Sequence, residues 1–249
     1  MPFVLELALL AGAGLVAGAL NVVAGGGSFL TLPVLLFLGL PAAVANGTNR
    51  VGVLAQNVSG VWGYHRHGAL DWGFALWASV PAVIGAALGA WLALRVPDFA
   101  FTRMLSFAML AVTLWSVWKS RGGPVERQTG ASESSRALTL IGFFFVGVYG
   151  GFIQAGVGFA ILALTSAAGL DLIRGNAVKV LSVLLITLLS LAIFANSGTV
   201  DWPRGLALGV GNFGGGLVGV RMAVLKGQRW LERVVSATVI LFALLLWFS

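Results

Sequence analysis

Cysteine is absent from this chain, which excludes disulfides, iron–sulfur clusters and thiol catalysis. Histidine occurs twice, at His65 and His67. The two lie in an expected loop near Asp71, and no third imidazole completes a metal-ligand set. No residues form a catalytic constellation, so neither an enzymatic activity nor a cofactor or bound metal is expected. Charge is the scarcest commodity. Asp, Glu, Lys and Arg make up 9% of the 249 residues, where a soluble domain carries roughly a quarter. With 59% hydrophobic residues and a mean hydropathy of +0.98, there is too little polar surface to face water. Repeated apolar runs of about 20 residues are what a bilayer demands.

The formal net charge is +7. In a soluble protein that would point to nucleic acid. Here the few basic residues sit in short loops, so the excess reads as a topology signal and as contact with anionic headgroups. Residues 3–20, with Ala17-Gly18-Ala19, superficially resemble a leader. No Lys or Arg precedes this run, and Glu6 stands near its start, so it is read as the first membrane segment.

The chain repeats itself at a separation of 130 residues. Asp71-Trp72 returns as Asp201-Trp202, and the same offset pairs Gly26 with Gly156, Phe29 with Phe159, Asn46 with Asn176, Gly68 with Gly198 and Arg103 with Arg233. Apolar coincidences are cheap in this composition, but matches in Asn, Asp, Trp and Arg are not. Internal repeats are common in secondary transporters. The expected division is a first transmembrane repeat over 1–118, a polar cytoplasmic linker over 119–136 and a second repeat over 137–249. Each repeat reads as five apolar segments, at about 3–23, 28–40, 42–64, 72–94 and 100–118, then 137–155, 158–169, 171–195, 202–224 and 230–248. The second segment of each is too short to cross the hydrocarbon as a straight helix, which leaves open whether it spans or is re-entrant.

Lys and Arg orient the chain. The linker has Lys119, Arg121, Arg127 and Arg136. The 225–233 loop has Lys226, Arg229 and Arg233, and the 65–71 loop has Arg66. All three can be cytoplasmic if each repeat crosses an odd number of times, which makes the repeats inverted and puts both chain ends outside. Arg95 and Arg103 are the exceptions. Trp62, Trp72, Trp91, Trp118, Trp202, Trp230 and Trp247 fall near segment ends, as an interfacial aromatic belt does.

Two glycine-rich stretches interrupt apolar runs. AGGGSFLTLP (24–33) and GGFIQAGVGF (150–159) occupy matching places in the two repeats. Breaks inside a bilayer are tolerated only where protein or a water-filled cavity satisfies the freed backbone groups. The N-terminus of the half-helix that follows favours anions. Gly25, Gly26, Gly27, Gln154 and Gly156 are the break residues, and Ser28 is placed to cap the first half-helix. Close packing through small residues is the other reading of one such break; two at matching positions point to a binding site.

The third segment of each repeat carries a polar stripe. Asn46, Asn49, Val53 and Asn57 follow helical spacing, with Thr48, Arg50 and Gln56 beside them, and their mates include Asn176, Lys179, Val183 and Thr187. Arg50 and Lys179 lie about eight residues into their segments, about 12 Å deep at 1.5 Å per residue. A central Arg or Lys costs about 2.5–3.5 kcal/mol on insertion scales. The cations either snorkel to the interface, pair with a distant Asp, or face a cavity that admits an anion. Arg174 reads as a local partner of Asp171. Asp71 and Asp201 read as helix N-caps, and GAALG (85–89) and GGLVG (215–219) as helix-packing motifs.

With these residues placed, the chain resembles the sulfite exporter TauE/SafE family. GAGLVAGALNVVAGGGSFLTLPVLLFLGLPAAVANGTNRVG is similar to its first signature and GVYGGFIQAGVGFAILALTSAAGLDLIRGNAVKVL to its second. The resemblance spans nearly the whole chain apart from the linker. It implies a transporter of small sulfur-containing anions such as sulfite, thiosulfate or organosulfonates. Thr48, Asn49, Arg50, Asn176 and Lys179 fall on the family's polar helix starts, and Gly25, Gly26, Gly27 and Gly156 on its breaks. Proline is missing opposite Pro33, so the half-sites are not equivalent.

The combined expectation is an all-α polytopic transmembrane bundle of two inverted repeats with broken or re-entrant half-helices, in the cell membrane. A small anion is held by Arg50 and Lys179, with Asn46, Thr48, Asn49, Asn176 and Gln154 hydrogen-bonding, and exchanged by alternating access. Membrane lipid is the only other expected partner; nucleic acid is not. The rival reading is a non-transport accessory or assembly subunit, whose buried charges would be structural.

Overall fold

The computed structural model describes residues 2–119 and 133–226. All described elements are helices: α1 (Phe3–Ala24), α2 (Ser28–Phe37), α3 (Ala42–Arg66), α4 (Trp72–Ala93), α5 (Asp98–Lys119), α6 (Glu133–Phe152), α7 (Val157–Ala167), α8 (Leu172–Asn196) and α9 (Trp202–Lys226). Nine of the ten expected segments appear with ends within a few residues. The tenth, 230–248, lies outside the described residues, as do residues 120–132 of the linker, Arg229, Arg233, Trp230 and Trp247.

The helices turn small residues inward and large ones outward. α4 buries Ala75, Ala78, Ala82, Ala86 and Ala90, while Leu76, Val80, Ile84 and Leu88 are exposed. A soluble helix does the opposite. In lipid, burying large apolar side chains gains little, and close backbone approach decides helix association. α1, α4, α8 and α9 are long and apolar enough to cross a membrane. α3, at 25 residues, is as long as α8 and α9 but too polar for that test. Its Asn46, Thr48, Asn49, Arg50, Gln56 and Asn57 are nonetheless all buried, so its polarity is sheltered by neighbouring helices. The chain is an integral membrane protein.

The expected packing motifs hold. A Cβ on Gly85 or Gly89 would strike the Phe144 and Val148 carbonyls of α6, and one on Gly215 or Gly219 would strike those of Leu15 and Ala19 in α1. Residue numbers rise together across both contacts, so α4 runs parallel to α6 and α9 parallel to α1. α3 also runs parallel to α9, Gly47 lying against Thr199 and Gly63 against Val220. α3 and α8 cross antiparallel, with Gly47 near Phe194 and Gly60 near Val180. α2 folds back along α1, bringing Leu35 into one apolar cluster with Leu10. α7 folds back along α6, with Leu164 over Gly142 and Val157 over Gly150.

The expected caps and pairs at helix ends are present. Asp71 Oδ1 accepts from Phe74 N at 3.0 Å and Asp201 Oδ1 from Arg204 N at 3.1 Å. Arg174 pairs with Asp171 at 3.6 Å. His65 Nδ1 accepts a hydrogen bond from Trp72 Nε1, and His67 Nδ1 donates one to Gly63 O. Arg95 and Arg103 lie over the rings of Trp91 and Phe99. A guanidinium over an aromatic face is a suitable arrangement for a cation at a membrane boundary.

Candidate functional site

The two breaks meet. Gly25, which ends α1 with φ +90°, lies against Gly158 in the first turn of α7, so that a Cβ on either would fall on the other's backbone. Only glycine permits both the left-handed turn and this approach. Gly26 rests on the Phe159 ring, and Gly27 is pressed against Ala17 O and Asn21. In the second break, Gln154 (φ +68°) and Gly156 (φ +76°) make the turns. The broken ends are thus apposed inside the protein, closed on each other.

Ser28 corrects an expectation. It is the first residue of α2, not its cap; Gly27 holds the cap position, and no side-chain cap hydrogen bond forms. A cap must have non-helical backbone angles, whereas even Gly27, at φ −60° and ψ −32°, is already helical.

Arg50 and Lys179 are buried, with 0% and 2% of their surface exposed. Neither snorkels, and among the described residues neither has a carboxylate partner. Each instead reaches into the other half of the chain. Arg50 donates from Nη1 to Gly150 O at 3.2 Å and from Nη2 to Gly151 O at 2.5 Å and Asn46 Oδ1 at 3.4 Å. Its guanidinium lies 4.7 Å from the Phe194 ring centre. Lys179 Nζ donates to Asn21 O at 3.0 Å, Val22 O at 2.7 Å and Asn176 Oδ1 at 2.6 Å. The acceptors are carbonyls in the last turns of α6 and α1, the negative ends of those helix dipoles. Carbonyl dipoles satisfy these donors without cancelling their charge.

Asn46 extends the first cluster, donating from Nδ2 to Phe152 O at 2.7 Å. Asn176 accepts from Lys179 as Asn46 accepts from Arg50. Asn49 Oδ1 accepts from Thr31 Oγ1 at 2.5 Å, and its buried Nδ2 has no partner. Arg50 Nε is also buried and unpartnered. Gln154 Nε2 donates to Thr187 Oγ1, leaving its Oε1 buried and unpartnered. A buried polar atom left without a partner costs about 1–3 kcal/mol, so these three atoms are a standing cost of the closed arrangement. Thr48 stands apart. Its Oγ1 accepts from Asp201 N at 2.9 Å and ties α3 to the start of α9.

Sequence reasoning missed Thr31, whose hydroxyl sets the Asn49 amide, and the backbone acceptors Gly150, Gly151, Asn21 and Val22. Thr31 lies one turn past the glycine break, which could have marked it. Backbone carbonyls leave no signature in residue type.

A helical bundle dressed in large apolar side chains, with two apposed helix breaks and charged groups in its interior, is the architecture of a membrane protein that handles a polar solute within the bilayer. The family model described as sulfite exporter TauE/SafE matches residues 10–246, and the chain belongs to this family of membrane transporters. It is similar to the probable membrane transporter protein ORF9 of Sinorhizobium sp, with 30% identity covering 91% of this chain and 86% of that one. A probable membrane transporter protein of Haemophilus influenzae is 29% identical, over 92% of this chain and 89% of its own. The probable membrane transporter protein YfcA of Escherichia coli K12 is 27% identical, over 94% and 87%. No solved structure matches the chain significantly.

Proposed function

We propose that this protein is an alternating-access transporter of small sulfur-containing anions, such as sulfite, thiosulfate or organosulfonates, in the cell membrane. The observation that carries the reading is the reciprocal burial of Arg50 and Lys179. Among the described residues each lacks a carboxylate partner, and each sits on the terminal carbonyls of a broken helix from the other repeat. An anion entering between the repeats would replace carbonyl dipoles with a full negative charge. In this reading Asn46, Asn49, Asn176 and Gln154 hydrogen-bond it, while Gly25, Gly26, Gly27, Ser28 and Gly156 supply backbone at the half-helix starts. Thr48 acts only by positioning.

The repeats are read as inverted, 1–118 against 137–249. Support comes from α1 running parallel to α9, α4 to α6, and α3 antiparallel to α8, the relations expected when repeat mates point in opposite directions. The α1–α2 and α6–α7 hairpins then enter from opposite faces and meet at their tips, and the packed breaks correspond to an occluded state. Among the described residues no Asp or Glu is buried, so no buried carboxylate is available there to carry a proton. A monoanion leaving a cell gains about 2.3 kcal/mol per 100 mV of inside-negative potential, enough to drive export by uniport.

Thermal unfolding of the purified protein with sulfite, thiosulfate and sulfoacetate tests the reading. Saturable stabilisation by at least one of them, lost in Arg50→Ala and Lys179→Ala, is expected. A flat response to all three would contradict it.

A further inference from the structure

Where α4 and α6 begin, the bundle holds a cleft of about 460 Å³. Phe74 and Trp77 of α4, Thr139 of α6, and Ala168 and Leu170 of the α7–α8 turn line it, and Arg136 stands among them. Among the described residues the walls are mainly apolar, and Arg136 is their one charge. It is exposed and makes no ion pair among the described residues.

The repeat-related place at the other end of the molecule is built differently. Glu6 corresponds to Arg136 and Arg204 to Phe74 at the 130-residue offset. Arg204 there is held by Glu6 at 2.7 Å and Asp201 at 2.6 Å, and it covers the Phe3 ring. At that end Arg204 is held by internal ion pairs, while the other presents an open apolar cleft whose guanidinium has no ion-pair partner among the described residues. Beyond the cleft, α4 exposes Leu76 and Val80, and α6 exposes Leu138, Ile141 and Phe145. These are surfaces for hydrocarbon. Trp72, exposed at the start of α4, sets the headgroup level.

We propose that this cleft binds an anionic phospholipid, its phosphate on Arg136 and the start of an acyl chain along Phe74 and Trp77. A basic pocket between membrane helices on the side read as cytoplasmic suits such a headgroup. The site is separate from Arg50 and Lys179 and stands or falls independently of the transported anion.

Lipid retention on the purified full-length protein, measured by native mass spectrometry after exchange into equimolar phosphatidylglycerol and phosphatidylcholine, tests the proposal. Phosphatidylglycerol should be retained about five-fold more than phosphatidylcholine, the preference expected from one basic residue at the membrane surface. Arg136→Ala should abolish the preference, Arg136→Lys should keep it, and Arg95→Ala at the opposite end should leave it unchanged. Gly73→Leu should lower retention of both lipids; apart from Asp71 Oδ1 at 3.5 Å, a Cβ at Gly73 meets open space, so the variant fills the cleft without strain. Equal retention of the two lipids, a preference that survives Arg136→Ala, or displacement of the lipid by millimolar inorganic phosphate alone would overturn it.

Discussion

Lys179 Nζ lies 2.7 Å from the carbonyl oxygen of Val22, 157 residues earlier in the chain, in the last turn of α1. Arg50 makes the mirror contact from α3 to Gly151 in the last turn of α6. Each cation therefore joins the polar helix of one half of the chain to the broken helix of the other half. Lys179→Ala would strand the Val22 carbonyl, while Asn21 O keeps its bond from Gly25 N. Arg50→Ala would strand those of Gly150 and Gly151. Each variant should lose about 1–3 kcal/mol for every acceptor left buried and unbonded, seen as a lower midpoint in thermal unfolding. Arg50→Lys should recover only part of the loss. An ammonium cannot reproduce the guanidinium's fork across two carbonyls or its contact over the Phe194 ring.

Gly25 and Gly39 have nearly the same left-handed backbone, φ +90° and +85°, but different surroundings. A Cβ at Gly39 meets nothing within 4 Å, while one at Gly25 lands on Gly158. Gly39→Ala should cost only the backbone term, about 1 kcal/mol. Gly25→Ala should add a steric cost of about 1–3 kcal/mol by forcing the breaks apart. Parallel unfolding of the two variants separates strain from contact; equal losses would mean that the breaks are not packed as described.

Most of the fold was legible because lipid imposes a simple rule. Runs such as 72–94 and 202–224 must be helices, since no other open structure hides its backbone in hydrocarbon. The Gly85/Gly89 and Gly215/Gly219 pairs marked the tight helix contacts for the same reason. Arg50 and Lys179 stood out in the sequence as cations deep in apolar segments; the backbone carbonyls that they bind did not. Arg50 and Lys179 stand one residue out of register at the 130-residue offset, Lys179 matching Asn49, but their equal depth in the two segments already paired them. Arg50 reaches Asn46 four residues back and Lys179 reaches Asn176 three residues back, and the difference in side-chain length and fork restores the match. Thr48 was grouped with the polar stripe; that its hydroxyl accepts from Asp201 N could not be read from the sequence, because the close approach of the start of α9 leaves no local signal.

Thr48 and Glu6 should behave as structural residues. Thr48→Val removes the acceptor for Asp201 N, and Glu6→Gln weakens the pair with Arg204. Each should lower stability by about 1 kcal/mol and leave the midpoint for anion-induced stabilisation unchanged. A shift in that midpoint for Thr48→Val would return Thr48 to the binding site.

The absence of native cysteine makes topology directly measurable. His67 and Ser197 occupy matching turns, after α3 and after α8, separated by the repeat offset. His67→Cys should react with a membrane-impermeant maleimide only from the cytoplasmic side, and Ser197→Cys only from the outside. Labelling of both from one side would discard the inverted arrangement.

The central claim is that two buried cations bound to helix ends of opposite repeats serve a passing anion. Flux of labelled sulfite or sulfoacetate from proteoliposomes, driven by an imposed potential, tests it most directly. The account predicts saturable, potential-dependent efflux of at least one of them in the wild type, abolished in both Arg50→Gln and Lys179→Gln protein that remains folded and reconstituted. Efflux unchanged in those folded variants would contradict it.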